Sequence, residues 1–451
     1  MTTNITSLCN LDMRTRGITR FLLWLCVAAI LYPLFPADAA GAERPVKKFE
    51  LVTNRRNIPI DEGVVFEAFT FNGKLPGPLL IVDEGDQVEI SVHNEDTITH
   101  GLSIHAANTQ TSQHVGLLEA GQTKKLVFNA DTPGVYMYHC APGGHGIMTH
   151  TMGGMFGMVV VEPKTNPYRM EKELGRAPDL RLYVIQHEVY ANGRDFFDGK
   201  ALYVMFNGYN FRYVNEPIAV RPGDYLRIYY LNVGPNLTAT FHVVGGIWNY
   251  LYYNGNPSNL MAGTQSAISG PTDSWVVEWQ VPAEGPFTFL THALGTQAIK
   301  GAIGILSSKK EATRSADVSS EGHPVAAEAE HKNHKRWVSP FGIGSGDLDV
   351  PHRFQPGERP IIRIVGNSFY PKIAEVRVGT TVTWVNEDVF DFLDGERTGQ
   401  HDVITIQGPG DFKSPALKHA DQFKFKFTLH GEYDYICNIH PYMKGRIKVI
   451  H

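Results

Sequence analysis

Short apolar runs separated by turn residues form the main pattern of this sequence from residue 44 onward. Many of the runs alternate apolar with polar positions, as half-buried strands do. Glycine and proline clusters lie between the runs, and no long helical period interrupts them. The pattern predicts an all-β chain folded as sandwiches or barrels. The first predicted strands are Leu79–Val82, Gln87–His93, Lys124–Phe128 and Val135–His139.

The same pattern recurs along the chain and predicts three β units, at residues 44–165, 166–308 and 339–451. In the second unit, Phe206-Asn207-Gly208 repeats Phe71-Asn72-Gly73 of the first. In the third unit, Val376–Trp384 predicts two strands broken at Gly379, and Glu432–Ile436 predicts another. A chain of 451 residues is long enough for about three domains of ordinary size.

Two segments do not follow the β pattern. Residues 309–338 are rich in alanine, glutamate, lysine and serine, which predicts a flexible linker. Residues 1–39 contain three arginines, then the apolar run Phe21–Phe35, and then small residues. This order predicts a cleaved secretory signal peptide. The alternative is a single membrane anchor, for which the run is short. Both interpretations place the rest of the chain outside the cytoplasm, and we expect it to lie in the periplasm.

Composition narrows the class of protein. Hydrophobic residues make up 43% of the chain and charged residues 19%, which is enough apolar material for folded cores. The formal net charge is −5, and no basic stripe indicates a nucleic-acid partner. The chemistry must therefore come from particular side chains.

One such group surrounds a cysteine of the first unit. Cys140 follows a predicted strand, with His150 and Met155 close behind it in the chain. A thiolate, two imidazoles and a weak methionine ligand form a blue-copper electron-transfer site, and His100 is available as the second histidine. Neighbouring residues on a strand point to opposite faces. His139 therefore cannot join this copper, but it can hold another one.

The third unit contains a second group of the same kind. Cys437, His440 and Met443 form a tight loop, and His401 is the upstream histidine. In an exported protein Cys140 and Cys437 could instead form a disulfide. The separate ligand set beside each cysteine favours two metal sites.

Several motifs between residues 50 and 308 together resemble those of copper-containing nitrite reductases. In that family a type 1 copper receives electrons and a type 2 copper reduces nitrite to nitric oxide. The motifs are His100-Gly101-Leu102-Ser103-Ile104-His105, Tyr138-His139-Cys140-Ala141-Pro142, His150 with Met155, Phe241-His242-Val243-Val244-Gly245 and Thr291-His292-Ala293.

The resemblance implies cupredoxin-like Greek-key β-sandwiches and a ligand set for each copper. It also implies a homotrimer in which a neighbouring subunit supplies the last histidine of the type 2 site. The type 1 ligands would be His100, Cys140, His150 and Met155, and the type 2 ligands His105, His139 and His292.

The third unit resembles a small cupredoxin, closest to amicyanin in its loop from Cys437 to Met443. This resemblance implies a tethered electron carrier with its own type 1 copper, and hence three coppers per chain. The ligands would be His401, Cys437, His440 and Met443.

Two departures from the family pattern bear on the chemistry. The loop after Cys140 carries an insertion, so His145 rivals His150 as a ligand; the step from His150 to Met155 favours His150. Ser103 stands where the family has an aspartate that relays protons to nitrite. The partner of that aspartate, His242, is present. A serine hydroxyl is a poor proton donor at neutral pH, so slower turnover is expected.

The resemblance predicts a nitrite reductase that forms nitric oxide. We expect a small redox protein, a cytochrome c or a cupredoxin, to donate electrons through the third unit. Ser103 supports an alternative, an electron-transfer or copper-binding protein, or a copper oxidase, with impaired nitrite turnover. An oxygen-reducing multicopper oxidase would need paired His-x-His motifs, and the sequence contains none.

Overall fold

The structure is a computed structural model that describes residues 44–61, 64–142, 145–191, 193–322, 336–338, 351–354, 357–365, 368–387, 400–438 and 443–451. Strands dominate these residues and the helices are short, which confirms the all-β prediction. The predicted signal or anchor at residues 1–39 lies outside them. Within the described part, no helix is long and apolar enough to span a membrane.

The first unit is a sandwich of two sheets. Its sheets have the orders β2-β1-β4-β6 and β3-β8-β7-β5, with strands and helices at these positions: β1 (Val46–Asp61), β2 (Val64–Phe71), β3 (Leu80–Asp83), β4 (Gln87–Asn94), β5 (Ser103–Ile104), α1 (Ser112–Val115), β6 (Thr123–Asn129), β7 (Gly134–His139), α2 (His145–Met152) and β8 (Phe156–Glu162). Strand β4 buries alternate residues, as its sequence predicts. The core between the sheets encloses Cys140 and Met155.

The second unit is a larger sandwich packed against the first. Its elements are α3 (Arg169–Leu174), β9 (Leu180–Val189), α4 (Gly193–Phe197), β10 (Tyr203–Phe206), α5 (Arg212–Asn215), β11 (Ile218–Val220), β12 (Tyr225–Gly234), β13 (Ala239–Val243), β14 (Trp248–Tyr253), β15 (Leu260–Thr264), β16 (Ser266–Ser269), β17 (Ser274–Gln280), β18 (Gly285–Thr291), a 3-10 turn (Ala298–Lys300) and β19 (Ile303–Ser308). The sheet orders are β10-β9-β12-β17-β14-β15 and β11-β19-β18-β13-β16.

Strand β12 joins the first two units. All of its residues are buried, because one face lies in its own sandwich and the other faces the first unit. Tyr229 and Leu231 pack in one apolar cluster with Met137 and Val160 of the first unit. The Tyr229 hydroxyl also donates to Glu162 over 2.6 Å. This shared core holds β7, and therefore Cys140, against the second unit.

The prediction of a flexible linker from residue 309 is corrected by the structure over residues 309–322, which we call the strap. Arg314 donates to both carboxylate oxygens of Asp224, over 2.9 and 2.6 Å. Val318 extends the sheet at β9, exchanging backbone hydrogen bonds of 2.9 Å with Arg181 and Tyr183. A polar composition suggested a solvated chain, but these charged side chains have fixed partners on the second unit.

A second correction concerns residues 336–338, which form β20 (Arg336–Val338). This strand pairs in parallel with β2 of the first unit, from Val64 to Phe66. Residues 323–335 of the predicted linker and residues 339–350 of the predicted third unit lie outside the described residues. The chain is thus attached to the first two units at two places beyond Ser308.

The third unit also contains two sheets. Its strands are β21 (His352–Arg353), β22 (Ile361–Val365), β23 (Ser368–Tyr370), β24 (Ile373–Arg377), β25 (Thr381–Asn386), β26 (Ile404–Gln407), β27 (Gln422–Lys426), β28 (Gly431–Ile436) and β29 (Lys444–Ile450). The sheet orders are β21-β24-β29-β28-β26 and β23-β22-β25-β27. Gly379 separates β24 from β25 with a φ of 88°, a left-handed conformation that favours glycine. The predicted break at this residue is therefore confirmed.

Candidate metal centres

The sequence-predicted type 1 residues of the first unit meet in its core. The Sγ atom of Cys140 lies 3.5 Å from Nδ1 of His100 and 3.3 Å from Nδ1 of His150, and the two Nδ1 atoms are 3.2 Å apart. His100 comes from the loop after β4, Cys140 from the end of β7 and His150 from α2. Among the described residues, these three form the one group of three possible metal ligands within 4.8 Å of one another.

Met155 is held next to Cys140 by its backbone. Its carbonyl accepts the N–H of Cys140 over 3.0 Å, and its side chain is fully buried in the same core. The side chain of the rival ligand His145 lies outside the described part of the structure. Among the described side chains, His150 is the one from the segment after Cys140 that the structure brings to the thiol.

The chemistry of this pocket fits a copper ion. Burial raises the pKa of the Cys140 thiol and lowers the pKa of His100. The pocket therefore favours neutral forms, and a thiolate inside it needs a cation in place of its proton. Two imidazole nitrogens and a sulfur that converge in an apolar core match the ligand preferences of copper.

The histidine next to Cys140 points to a different neighbour, as strand alternation predicts. Nε2 of His139 lies 3.2 Å from Nε2 of His105. Nδ1 of His139 donates to the carbonyl of Cys140 over 2.8 Å, so Nε2 keeps its lone pair for a metal. Desolvation, together with the nearby His105, lowers the pKa of His139 to about 4. Desolvation also lowers the pKa of His105. Both rings are therefore neutral at pH 7, as metal ligands must be.

His292 lies outside this pair and belongs to the second unit. Its ring centroid is 5.4 Å from that of His242, on β13. His242 donates from Nδ1 to the carbonyl of Gln265 over 2.6 Å, which leaves its Nε2 free of that contact. Within one chain the structure does not assemble the predicted triad of His105, His139 and His292.

Ser103 lies beside the histidine pair. It occupies β5, where it pairs with His139 of β7 in the antiparallel ladder. Facing residues on such a ladder have Cβ atoms about 4.5–5.5 Å apart. Position 103 therefore lies next to a predicted type 2 ligand, as the resemblance implies for the residue between His100 and His105.

The third unit repeats part of the arrangement of the first centre. Sγ of Cys437 lies 3.8 Å from Nδ1 of His401, and both residues are fully buried. The N–H of Cys437 donates to the carbonyl of the buried Met443 over 3.1 Å, as Cys140 does to Met155. His440 lies outside the described residues.

One residue near the first centre is absent from the predicted ligand sets. Oδ2 of Asp96 lies 3.2 Å from Nε2 of His100. Burial opposes ionisation of Asp96, but His100 and Arg55 outweigh it and lower its pKa to about 2. The sequence contains only a weak signal for this contact, because an acidic residue four positions before a histidine in a loop is common. Only the fold turns this carboxylate toward the ring.

Residues 53–166 match a family model described as multicopper oxidase. The chain is 32% identical over 285 residues to the copper-containing nitrite reductase of Neisseria meningitidis serogroup A, covering 59% of this chain and 71% of that protein. A copper-containing nitrite reductase structure from Thermus scotoductus SA-01 is 56% identical, with a TM-score of 0.85, covering 90% of this chain and 99% of that one.

A copper nitrite reductase structure from Nitrosomonas europaea is 31% identical with a TM-score of 0.56, covering 61% of this chain and 98% of that one. In each of these three comparisons the similarity covers more than half of this chain. Together with the copper-fitting centre in the first unit, it shows that the chain belongs to the family of copper-containing nitrite reductases.

Proposed function

We propose that this protein is a copper-dependent oxidoreductase that reduces nitrite to nitric oxide outside the cytoplasm. Each turnover consumes one electron and two protons and releases one water. The observation that carries the proposal is the junction of His139 with Cys140. These neighbours face two different ligand clusters, and the hydrogen bond from His139 to the Cys140 carbonyl links the clusters directly.

Copper would supply an electron-transfer centre at His100, Cys140, His150 and Met155 and a Lewis-acidic centre that binds and reduces nitrite at His105, His139 and His292. The protein residues prepare these centres. The apolar core excludes water from Cys140, and the hydrogen bond to the Cys140 carbonyl orients the ring of His139. The neutral His105 and His139 present two Nε2 atoms toward one point.

Proton supply falls to His242 and Ser103 in this proposal. The Gln265 carbonyl fixes the tautomer of His242 and leaves Nε2 as the atom that can carry a proton to bound nitrite. The Ser103 hydroxyl can hold a water beside His139 but is a weak acid. General acid catalysis contributes about 10²–10⁴-fold in enzymes, so this position limits turnover.

The proposal is tested by a steady-state assay of nitric oxide formation with a reduced artificial donor. We expect turnover, and three coppers per fully loaded chain by elemental analysis. Cys140→Ala and Cys437→Ala should each remove one thiolate-to-copper absorption component and one copper. A protein that carries three coppers but forms no nitric oxide would support an electron-transfer role instead.

Replacement of the serine tests the proton supply. In Ser103→Asp the new carboxyl stands beside His139, so we expect turnover at pH 7 to rise by about tenfold or more, within the range of general acid catalysis. Ser112→Asp, at an exposed position on α1, is the matched control and should not change the rate. An unchanged rate in Ser103→Asp would mean that another group already supplies the protons.

The second proposal is a homotrimer in which His292 of one subunit completes the pair His105 and His139 of the next. His292 is exposed in the single chain. Large apolar side chains near it are exposed as well, which is typical of a surface covered by a partner. They are Val244 (47%), Ile268 (67%), Leu294 (49%) and Ile299 (67%).

A substitution at His292 tests this arrangement. His292→Ala should abolish nitrite turnover and remove one copper per chain, while both thiolate absorption components remain. His114→Ala, which removes an exposed histidine outside every predicted ligand set, is the control and should leave turnover intact. Full type 2 copper in a chain that sedimentation shows to be a monomer would contradict the trimer.

The third proposal is that the C-terminal unit passes electrons to the Cys140 centre from a small redox protein, a cytochrome c or a cupredoxin. Its support is the buried contact of Cys437 with His401. The strap and β20 shorten the tether that the sequence suggested, because only residues 339–350 separate β20 from the first described residues of the third unit. Twelve residues span at most about 40–43 Å, so the unit stays close to the surface near β2.

Removal of the third unit tests this role. A chain that ends at Val338 keeps the strap and β20, so it should fold and reduce nitrite normally with a small artificial donor. With a protein donor its rate should fall by about tenfold or more, because tethering gives an effective concentration in the millimolar range. Full-length Cys437→Ala, which keeps the unit without its thiolate, should show the same loss. Equal rates for all three proteins with the protein donor would contradict the role.

A further inference from the structure

A buried carboxylate contacts the far side of a predicted copper ligand. Oδ2 of Asp96 lies 3.2 Å from Nε2 of His100, and the side chains are 3% and 0% exposed. A carboxylate can only accept here, so the contact places the ring proton of His100 on Nε2. Nδ1, which faces the sulfur of Cys140, is then unprotonated and able to bind a metal.

The other carboxylate oxygen of Asp96 has its own partners. Arg55 reaches Oδ1 with Nε over 3.1 Å and with Nη2 over 2.9 Å, and the backbone N–H of Thr97 donates to it over 2.6 Å. The Arg55 side chain is 31% exposed, so this ion pair joins the buried ring to the protein surface. The negative charge on Asp96 is therefore shared between His100 and an outer cation.

The second unit provides an internal contrast. A buried asparagine organises the same loop in both units, and its Oδ1 accepts a backbone N–H from two residues later. The donor is Asp96 for Asn94, over 2.9 Å, and Gly234 for Asn232, over 3.1 Å. The unit without a cysteine thus has glycine where the Cys140 unit has the carboxylate. The loop itself does not require Asp96.

The sequence of the third unit agrees with this contrast. Asn386-Glu387-Asp388 repeats Asn94-Glu95-Asp96, and this unit carries Cys437. Asp388 itself lies outside the described residues. In the sequence, the aspartate thus occurs in the two units that have a cysteine and not in the unit that lacks one.

We propose that Asp96 is a positioning residue that sets the reduction potential of copper held at Cys140, and that Arg55 moderates its effect. This inference rests on the proposed function, since it requires copper at that centre. A negative charge behind the imidazole makes its Nδ1 a stronger donor, and a stronger donor favours Cu(II) over Cu(I). Loss of the carboxylate charge should raise the potential, whereas loss of the Arg55 charge should lower it.

The experiment is a redox titration of full-length, copper-loaded protein, followed at the thiolate-to-copper absorption band. A Cys437→Ala background leaves the band of Cys140 alone. In Asp96→Asn we expect the preference for Cu(II) over Cu(I) to fall about tenfold, which is a rise of about 59 mV for a one-electron couple. Arg55→Gln should shift the potential in the opposite direction.

Two matched controls separate this contact from general surface charge. Glu95→Gln removes the adjacent carboxylate, which contacts Asn54 and is exposed. Arg56→Gln removes the adjacent guanidinium, which contacts the Arg55 carbonyl and is exposed. Solvent screening should keep both shifts far below those of Asp96→Asn and Arg55→Gln. Because Arg55 is partly exposed, its variant tests the coupling even if Asp96→Asn folds poorly.

The possible outcomes separate this inference from the function on which it rests. Opposite shifts in Asp96→Asn and Arg55→Gln, with small shifts in the controls, support it. A band at Cys140 whose potential is unchanged, or moves in the same direction in both variants, overturns the role of Asp96 alone. Absence of the band in the Cys437→Ala parent would overturn the copper site and this inference together.

Discussion

The alternation of side chains at the end of β7 is the constraint on which both centres of the first unit depend. Cys140 turns into the core toward His100 and His150, and His139 turns to the other side, toward His105. The hydrogen bond from Nδ1 of His139 to the Cys140 carbonyl closes a short path between the two sides. A register shift of one residue would exchange the two faces and destroy both clusters.

The surroundings of this junction serve to keep it in place. Strand β12 of the second unit is buried on both faces, and its contact with β7 fixes the position from which Cys140 emerges. The Met155 carbonyl holds the Cys140 backbone from the other side. The desolvation that these contacts produce raises the pKa of the thiol and lowers that of His100, so the pocket favours a neutral thiol and a neutral imidazole until a cation replaces the thiol proton.

One loop design serves two different purposes in the three units. Each unit has a buried asparagine in this loop, and its side-chain amide donates to a backbone carbonyl over 2.8–2.9 Å. The three residues are Asn94, Asn232 and Asn386. In the first and third units the loop leads to a histidine that meets a cysteine. In the second unit it leads instead to β13, where the half-buried His242 lies beside His292. The second unit, which has no cysteine, thus carries a pair of histidines instead.

The amino-acid sequence alone was sufficient for the features that depend on local order. The alternation in β4 and the break at Gly379 predicted strands that the structure contains, because strand periodicity is a property of consecutive residues. The short step from Cys140 to His150 likewise belongs to one local segment, so the sequence alone showed its spacing. Ligand type followed from side-chain chemistry at these positions.

Other features depended on contacts between distant segments, which periodicity does not encode. Only the tertiary structure placed Asp96 on His100, brought His105 to His139 and kept His292 away from them. It also bound the strap to the second unit, where composition had predicted a flexible linker. Arg314 is an ordinary solvated cation in the sequence and becomes an anchor only because folding places Asp224 opposite it.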